Sequence, residues 1–204
     1  MSNDESSKLN NIIFNNINIT SQENNIIKSF IHFYETNENS NIFIYLISNN
    51  SPISIRLIDH FVTKYSKNFK TNYKLKENNI EQTFNVYTSY KQQLKGYQKK
   101  YFDPFSRGER IPFFINDICI ITTISQLNFF KWFINKKIYD YVLENRNHID
   151  NDMNQKSRIQ NKVTKINKNK PKLITHTIQP IQNHSYTNLY IKQKIDNIIV
   201  SFSF

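Results

Sequence analysis

A mainly helical α+β single domain with a small β-hairpin and a C-terminal strand is what this sequence predicts, and three patterns carry that prediction. Apolar residues recur at helical spacing in three long segments, residues 51–69, 84–101 and 123–144. Residues 111–122 read IPFFI, then Asn116-Asp117, then ICIITT, two short β-branched runs about a two-residue turn. At the end of the chain Ile198, Val200, Phe202 and Phe204 alternate with Asn197, Ile199, Ser201 and Ser203, the period of a strand.

A chain of 204 residues suits one domain with appendages. Its aromatic content of 14% argues against wholesale disorder, because disordered chains lack the apolar surface that offsets chain entropy. Composition and periodicity divide it into a flexible Asn-rich arm (1–22), a globular helical domain (23–150), a basic tether (151–196) and a C-terminal strand (197–204).

Within the domain, Ile26, Ile27, Phe30, Ile31 and Tyr34 place a short helix over 23–35. TNENSN, residues 36–41, reads as a loop, and the apolar run 42–47 fits a buried strand or the middle of a helix. Ser51 as N-cap and Pro52 in the first turn open the next helix, with Ile55, Ile58, Phe61, Val62, Tyr65 and Phe69 as its apolar stripe. Arg56, Asp59, His60, Thr63 and Lys67 lie on its other side, where Arg56 and Asp59 read as a surface pair. Residues 68–82 are polar and Lys-rich and read as a loop. Residues 84–101 form a helix whose Tyr87, Tyr90, Leu94, Tyr97 and Tyr101 make one inward stripe beside Lys91, Lys95 and Lys99. Thr123 and Gln126 have capping-box spacing and start a helix with Leu127, Phe130, Phe133, Ile134, Ile138 and Tyr141 inside. Helical character fades through 145–154, where Asp150 and Asp152 read as a solvated face.

One stretch resists the bias of the rest. The chain has no Ala, 2 Gly and 5 Pro, the pattern of AT-rich codon usage. Yet Gly96, Pro104, Arg107, Gly108, Arg110 and Pro112 fall within KGYQKKYFDPFSRGERIP. A turn explains them: Asp103 accepts backbone N–H groups, Pro104 sets the bend and Gly108 allows a positive φ, while Arg107 or Arg110 pairs with Asp103 or Glu109. The alternative turns the arginines outward to a phosphate or carboxylate.

The net charge of +11 is clustered. Residues 60–110 and 156–172 each carry +7, while 1–59 is at −3 and 111–155 at −1. Codon bias predicts a smoother spread, so the candidate anion-binding or nucleic-acid-binding residues are Lys91, Lys95, Lys99, Lys100, Arg107 and Arg110, then Arg158, Lys162, Lys165 and Lys168 in the tether. Two glycines twelve residues apart exclude a P-loop and a dinucleotide fingerprint. The five His have no metal-ligand spacing, a lone Cys119 rules out an internal disulfide, and no Ser sits in a nucleophile elbow. No catalytic residue, metal, cofactor or small-molecule substrate is identified, and the longest apolar run, 42–47, is too short to span a membrane.

The blocks ISIRLIDHFVTKYSK (53–67), FNVYTSYKQQLKGYQKKYFDPFSRGERI (84–111) and TTISQLNFFKWFINKKIYDYV (122–142) resemble, in order and spacing, an uncharacterised protein family of nucleocytoplasmic large DNA viruses such as mimivirus relatives. That family's central block reads approximately FDPFCRRERI, often with Trp where His60 stands; here Ser106 and Gly108 replace its Cys and one Arg. The resemblance implies a viral protein of the host cytoplasm or the virion, and brings no activity with it. The expected function is non-enzymatic binding of DNA or RNA through the second helix, the arginine loop and the tether. The rival is a virion or assembly role in which the aromatic domain contacts other viral proteins.

Overall fold

The computed structural model describes residues 3–16, 20–48, 51–77, 79–115, 118–155 and 190–191. In chain order the elements are α1 (Asn3–Asn16), α2 (Ser21–Tyr34), α3 (Asn37–Ile47), α4 (Ile55–His60), a π-helical turn (Phe61–Tyr65), α5 (Ser66–Asn68), β1 (Asn72–Glu77), β2 (Ile80–Asn85), α6 (Val86–Tyr101), β3 (Ile111–Ile115), β4 (Ile118–Thr122), α7 (Ile124–Asn135), α8 (Ile138–Glu144) and β5 (Tyr190–Ile191). β1 and β2 form one antiparallel pair; β3, β4 and β5 form a second antiparallel sheet in that order. The mainly helical α+β expectation holds.

α7 is buried on nearly every side. Leu127, Phe129, Phe130, Trp132, Phe133 and Ile134 are all interior, and α2, α3, α6 and α8 pack around them. Phe129 meets Phe130 and Trp132 edge-on, with ring centroids 5.4 and 5.7 Å apart, the geometry ring quadrupoles favour. Phe43 of α3 and Phe102 after α6 reach the same cluster. Each such side chain contributes about 1.5–3 kcal/mol on burial, so the ring cluster dominates the fold's stability.

The Asn-rich arm is a correction. Residues 3–16 are a helix, packed on β3 through buried Phe14. Asn10 fastens it: its Nδ2 donates to the Phe114 carbonyl and its Oδ1 accepts the Phe114 N–H, both at 2.8 Å. One side-chain amide thus completes the free edge of β3 as a neighbouring strand would. With so few apolar residues, the segment's periodicity was too thin to read.

Several other expectations shift for identifiable reasons. Residues 36–41 are the polar first turn of α3, and the 42–47 run is helical, with Phe43, Leu46 and Ile47 inward at helical spacing. Ser54 rather than Ser51 caps α4 by accepting the Leu57 N–H at 3.1 Å; Ser51 bonds to Ile53 instead. The expected loop at 68–82 contains β1 and begins β2, where only Leu75 and Phe84 are buried, so lysines masked the alternation. The third helix breaks at Lys137, whose φ of 55° starts α8 in a new direction. Residues 146–155 are helical rather than fading, anchored by buried Ile149, so the tether cannot start at 151. Of the rest of the tether, the structure describes β5 alone, and the expected strand at 197–204 lies outside the described residues.

Removing the Asn10 amide orphans two strand groups at a partly buried edge. Asn10→Ala is expected to cost about 1–3 kcal/mol in urea unfolding, with an unchanged midpoint counting against the edge-capping role.

Candidate nucleic-acid interface

The compositionally odd loop is a joint, held from within by the first turns of α7. Gln126 Nε2 donates to the Pro104 carbonyl at 3.0 Å, Asn128 Nδ2 to the Tyr101 carbonyl at 2.8 Å, and the Asp103 N–H to the Ser125 carbonyl at 3.3 Å. Gln126 Oε1 also accepts the Thr122 hydroxyl, while Thr123 Oγ1 takes the Gln126 N–H as the helix cap. The capping box is therefore half formed: the Gln126 side chain serves the loop and not its own cap. Phe102 is the apolar anchor, 5.4 Å from Trp132 and 6.1 Å from Tyr90.

Asp103 acts as the turn residue the sequence indicated, its Oδ1 accepting the Phe105 N–H at 3.3 Å. Arg107 grips the same carboxylate with both arms of its fork, Nε to Oδ2 at 2.8 Å and Nη2 to Oδ1 at 3.0 Å, and lies 4.7 Å over the Phe105 ring. That hydrogen bonding pushes the guanidinium pKa up. Arg107 is thus a structural clamp, whereas Arg110 is exposed with no ion pair among the described residues. The expectation for Gly108 is overturned. Its φ is not positive, and an added Cβ would sit 3.9 Å from Thr123 and Ser125, ordinary contact distance. Ser106 keeps a buried hydroxyl without a hydrogen-bond partner.

The lysines of α6 behave differently. Lys91, Lys95 and Lys99 are exposed, and Lys100 leans back, 3.7 Å from Glu23 and 4.7 Å over the Tyr101 ring. Of the aromatic stripe, Tyr90 is buried and Tyr87, Tyr97 and Tyr101 are half-buried. Gln98 interrupts the helix at φ 58° and ψ 171°, a region occupied almost entirely by glycine. This kink displaces Lys99 from the regular Lys91–Lys95 row.

Two cations missed by the charge count on α6 join them. The π turn and α5 pack on α6, and Lys67 Nζ sits 5.7 Å over the ring of Tyr87, one helical turn before Lys91. At the other end, Lys64 and Lys99 both act on Asp59. Lys67 thus covers Tyr87 and Lys64 and Lys99 both act on Asp59 where the two helical segments pack, while Lys91 and Lys95 follow Tyr87 on α6 as exposed cations. The signal was Lys64 and Lys67 at i,i+3 on a polar face, hidden because the π turn shifts the phase of the helix. Arg158, Lys162, Lys165 and Lys168 lie outside the described residues.

Asp59 also departs from expectation. Its neighbours are Asp103, Arg107, Lys99 and Lys64, while Arg56 is exposed, so the surface pair of Arg56 and Asp59 is replaced by a cluster facing the loop. Burial first, and then the Asp103 charge, push its carboxyl up, against the opposing pull of the three cations. His60 is buried beside it, with Nε2 2.8 Å from Oδ2 of Asp152, 92 positions away. Asp152 is thus an interior partner that docks residues 146–155, not part of a solvated face. Burial pushes the Cys119 thiol up as well.

A raised carboxyl pKa means the folded state binds its proton more tightly than the unfolded chain. The cost is absent below both pKa values, sets in as pH rises past the unfolded one, and is complete above the folded one. Asp59→Asn should therefore be the more stable protein near about pH 7 and equal to the parent near about pH 3, as urea midpoints will show. Ser106→Ala should leave stability unchanged or raise it by about 1 kcal/mol, since it removes an unsatisfied hydroxyl; a loss in thermal unfolding would reveal a partner for that group.

Comparison with known proteins adds lineage. A family model described as a family of unknown function (DUF7197) matches residues 4–203. An uncharacterized protein of Acanthamoeba polyphaga mimivirus is 33% identical over 194 residues, covering 92% of this chain and 74% of that protein. No solved structure matches.

Proposed function

Since the chain belongs to the DUF7197 family of unknown function and has a giant-virus relative, we propose that it is a non-enzymatic viral protein that binds nucleic acid along the lysine seam of the π turn, α5 and α6. The observation that carries the proposal is the packing of the π turn and α5 on α6, with Lys67 over Tyr87, Lys64 and Lys99 both acting on Asp59, and Lys91 and Lys95 exposed on the same helix. Ammonium groups collected on one surface release condensed counterions when they meet phosphates, and that release drives sequence-independent affinity.

The Asp103 carboxylate weakens this field less than an unpaired one would. Asp103 is occupied by both arms of the Arg107 fork, which offsets its charge. Arg107 is withdrawn from the proposed contact set because Asp103 holds both arms of its fork. Arg110 stays in it as an exposed cation. The tether lysines and Arg158 extend the proposal by charge alone.

The assembly reading requires an aromatic surface for a protein partner. Among the described residues the large rings are mostly interior: Phe30, Phe43, Phe61, Phe102, Phe113, Phe129, Phe130 and Phe133 are fully buried. The exposed apolar residues Ile12, Tyr45, Phe69, Ile80, Ile121 and Leu143 are dispersed over separate elements. Scattered exposed apolar groups are ordinary for any surface. We therefore favour the lysine seam.

The test is salt-dependent binding of labelled single-stranded and duplex DNA and RNA to the full chain. The observed association constant should fall steeply between about 50 and 200 mM salt. Lys91→Gln with Lys95→Gln should lower the logarithmic salt slope on duplex by roughly 2, as should Lys64→Gln with Lys67→Gln. Lys28→Gln on α2 serves as the control. The proposal fails if no salt-sensitive binding appears, or if the seam variants bind like the control.

A further inference from the structure

The free edge of β1 borders a groove that has no part in the lysine seam. Tyr73, Lys74, Leu75 and Lys76 form one wall and Asn135, Lys137, Asp140, Tyr141 and Glu144 the other, around about 410 Å³. Four consecutive strand residues lining a groove is the signature of a strand edge, since a sheet face would show only alternate ones.

Hairpin register decides which backbone groups point there. β1 and β2 pair from Asn72↔Asn85 to Glu77↔Ile80. One step further out, the Val86 N–H donates to the Thr71 carbonyl at 3.2 Å, so Thr71 belongs to a hydrogen-bonded pair. Hydrogen-bonded and non-hydrogen-bonded pairs alternate along an antiparallel ladder. Tyr73, Leu75 and Glu77 therefore bond towards β2, while Lys74 and Lys76 turn their N–H and C=O groups to the groove. No strand covers that edge among the described residues.

The hairpin is well fixed as a template. Tyr73 Oη donates to the Lys136 carbonyl and its ring stacks on Tyr141 at 5.5 Å, while Glu77 pairs with Lys136. Leu75 is buried on the same face. An incoming strand meets an ordered edge, floored by the Tyr73–Tyr141 stack.

We propose that this groove receives an extended, acidic peptide segment of another protein, added as a third strand beside β1. Charge selects the occupant. Lys74 and Lys76 are exposed, two residues apart on the outer face, so a paired strand places every second side chain opposite an ammonium group. Carboxylates at those positions gain two ion pairs. A second copy of this chain pairing edge to edge sets lysine against lysine, which opposes self-association. Side chains between the carboxylates face the α8 wall of Asp140, Tyr141 and Glu144, so those positions take apolar groups that rest on the stacked rings and the peptide's carboxylates keep to the outer face. This binding stands independently of the nucleic-acid reading, because none of the seam lysines lines the groove.

The probe is a fluorescein-labelled synthetic peptide of alternating Glu and Val, with a scrambled peptide of the same composition as control. Anisotropy with the full chain should show the alternating peptide binding and the scrambled one at least about fivefold weaker. Lys74→Gln with Lys76→Gln should weaken binding about five- to tenfold. Lys76→Pro should weaken it further than Lys76→Gln, because proline deletes an edge N–H that the hairpin itself does not use. Hydrogen exchange should slow at the Lys74 and Lys76 amides on binding and stay unchanged at Tyr73 and Leu75. Equal binding of the two peptides, or absent protection at Lys74 and Lys76, overturns the proposal. So does a Lys74→Gln, Lys76→Gln variant that loses nucleic acid as strongly as the Lys91→Gln, Lys95→Gln variant while binding no peptide. The Gln variants keep the hairpin, so the result does not depend on whether Lys76→Pro folds.

Discussion

Burial of a polar helix start is the constraint on which the rest of this structure depends. Ser125, Gln126 and Asn128 lie in the interior with the aromatic residues that follow them on α7. A buried amide with no partner costs roughly 1–3 kcal/mol, so α7 can occupy the centre only if something polar crosses its start. The crossing chain is the Tyr101–Pro104 stretch, whose carbonyls accept from Asn128 and Gln126. Each side solves the other's problem. The loop needs buried donors because it has left α6 without continuing a helix, and α7 needs buried acceptors because its polar residues point inward. Gln126 also holds Thr122 at the end of β4, so the second sheet, the loop and α7 share one hydrogen-bonded hub.

From that hub the placement of charge follows. Fixing Phe102 beneath α7 sets where α6 ends, and the Gln98 kink is where the helix yields to meet it. The π turn performs a matching adjustment on the opposing segment, where an added residue per turn changes which side chains face α6. Lys64 and Lys67 arrive beside Tyr87 and Asp59 as a result. Two departures from regular helix, each costly by itself, thus bring Lys67 against Tyr87 and Lys64 and Lys99 towards Asp59. His60 and Asp152 brace the far side of the same segment, joining residues 146–155 to it.

Much of this is legible in the sequence. The helical character of residues 55–68, 86–101 and 124–144, though not their caps and breaks, the Ile111–Thr122 hairpin and the Asx turn at Asp103 follow from periodicity and turn chemistry, which local sequence encodes. What escaped was tertiary. Asn10 looks like one more Asn in an Asn-rich stretch until β3 lies beside it, and Asp152 looks solvated until His60 meets it across 92 positions. The β1–β2 hairpin escaped for another reason: one face carries lysines and the other only Tyr73, Leu75 and Phe84, so composition outweighed alternation. Gly108 misled in the opposite sense, since scarcity drew attention to a glycine whose conformational freedom the backbone does not use.

A chain without alanine also has to solve close helix packing some other way. Helices that approach closely need a small residue at the contact, and glycine in a helix interior costs about 1 kcal/mol relative to alanine. Here serine fills buried helical positions. Ser40 and Ser66 are fully buried on α3 and α5, and their hydroxyls turn back to the carbonyls of Thr36 and Val62 at 3.0 Å. A serine that bonds within its own helix presents little more bulk than alanine and leaves no donor unsatisfied. The same back-bond slightly weakens a regular helical ladder, and at Ser66 it sits where the π turn hands over to α5. The buried Ser66 therefore also back-bonds where the helical phase changes, the change that brings Lys67 over Tyr87.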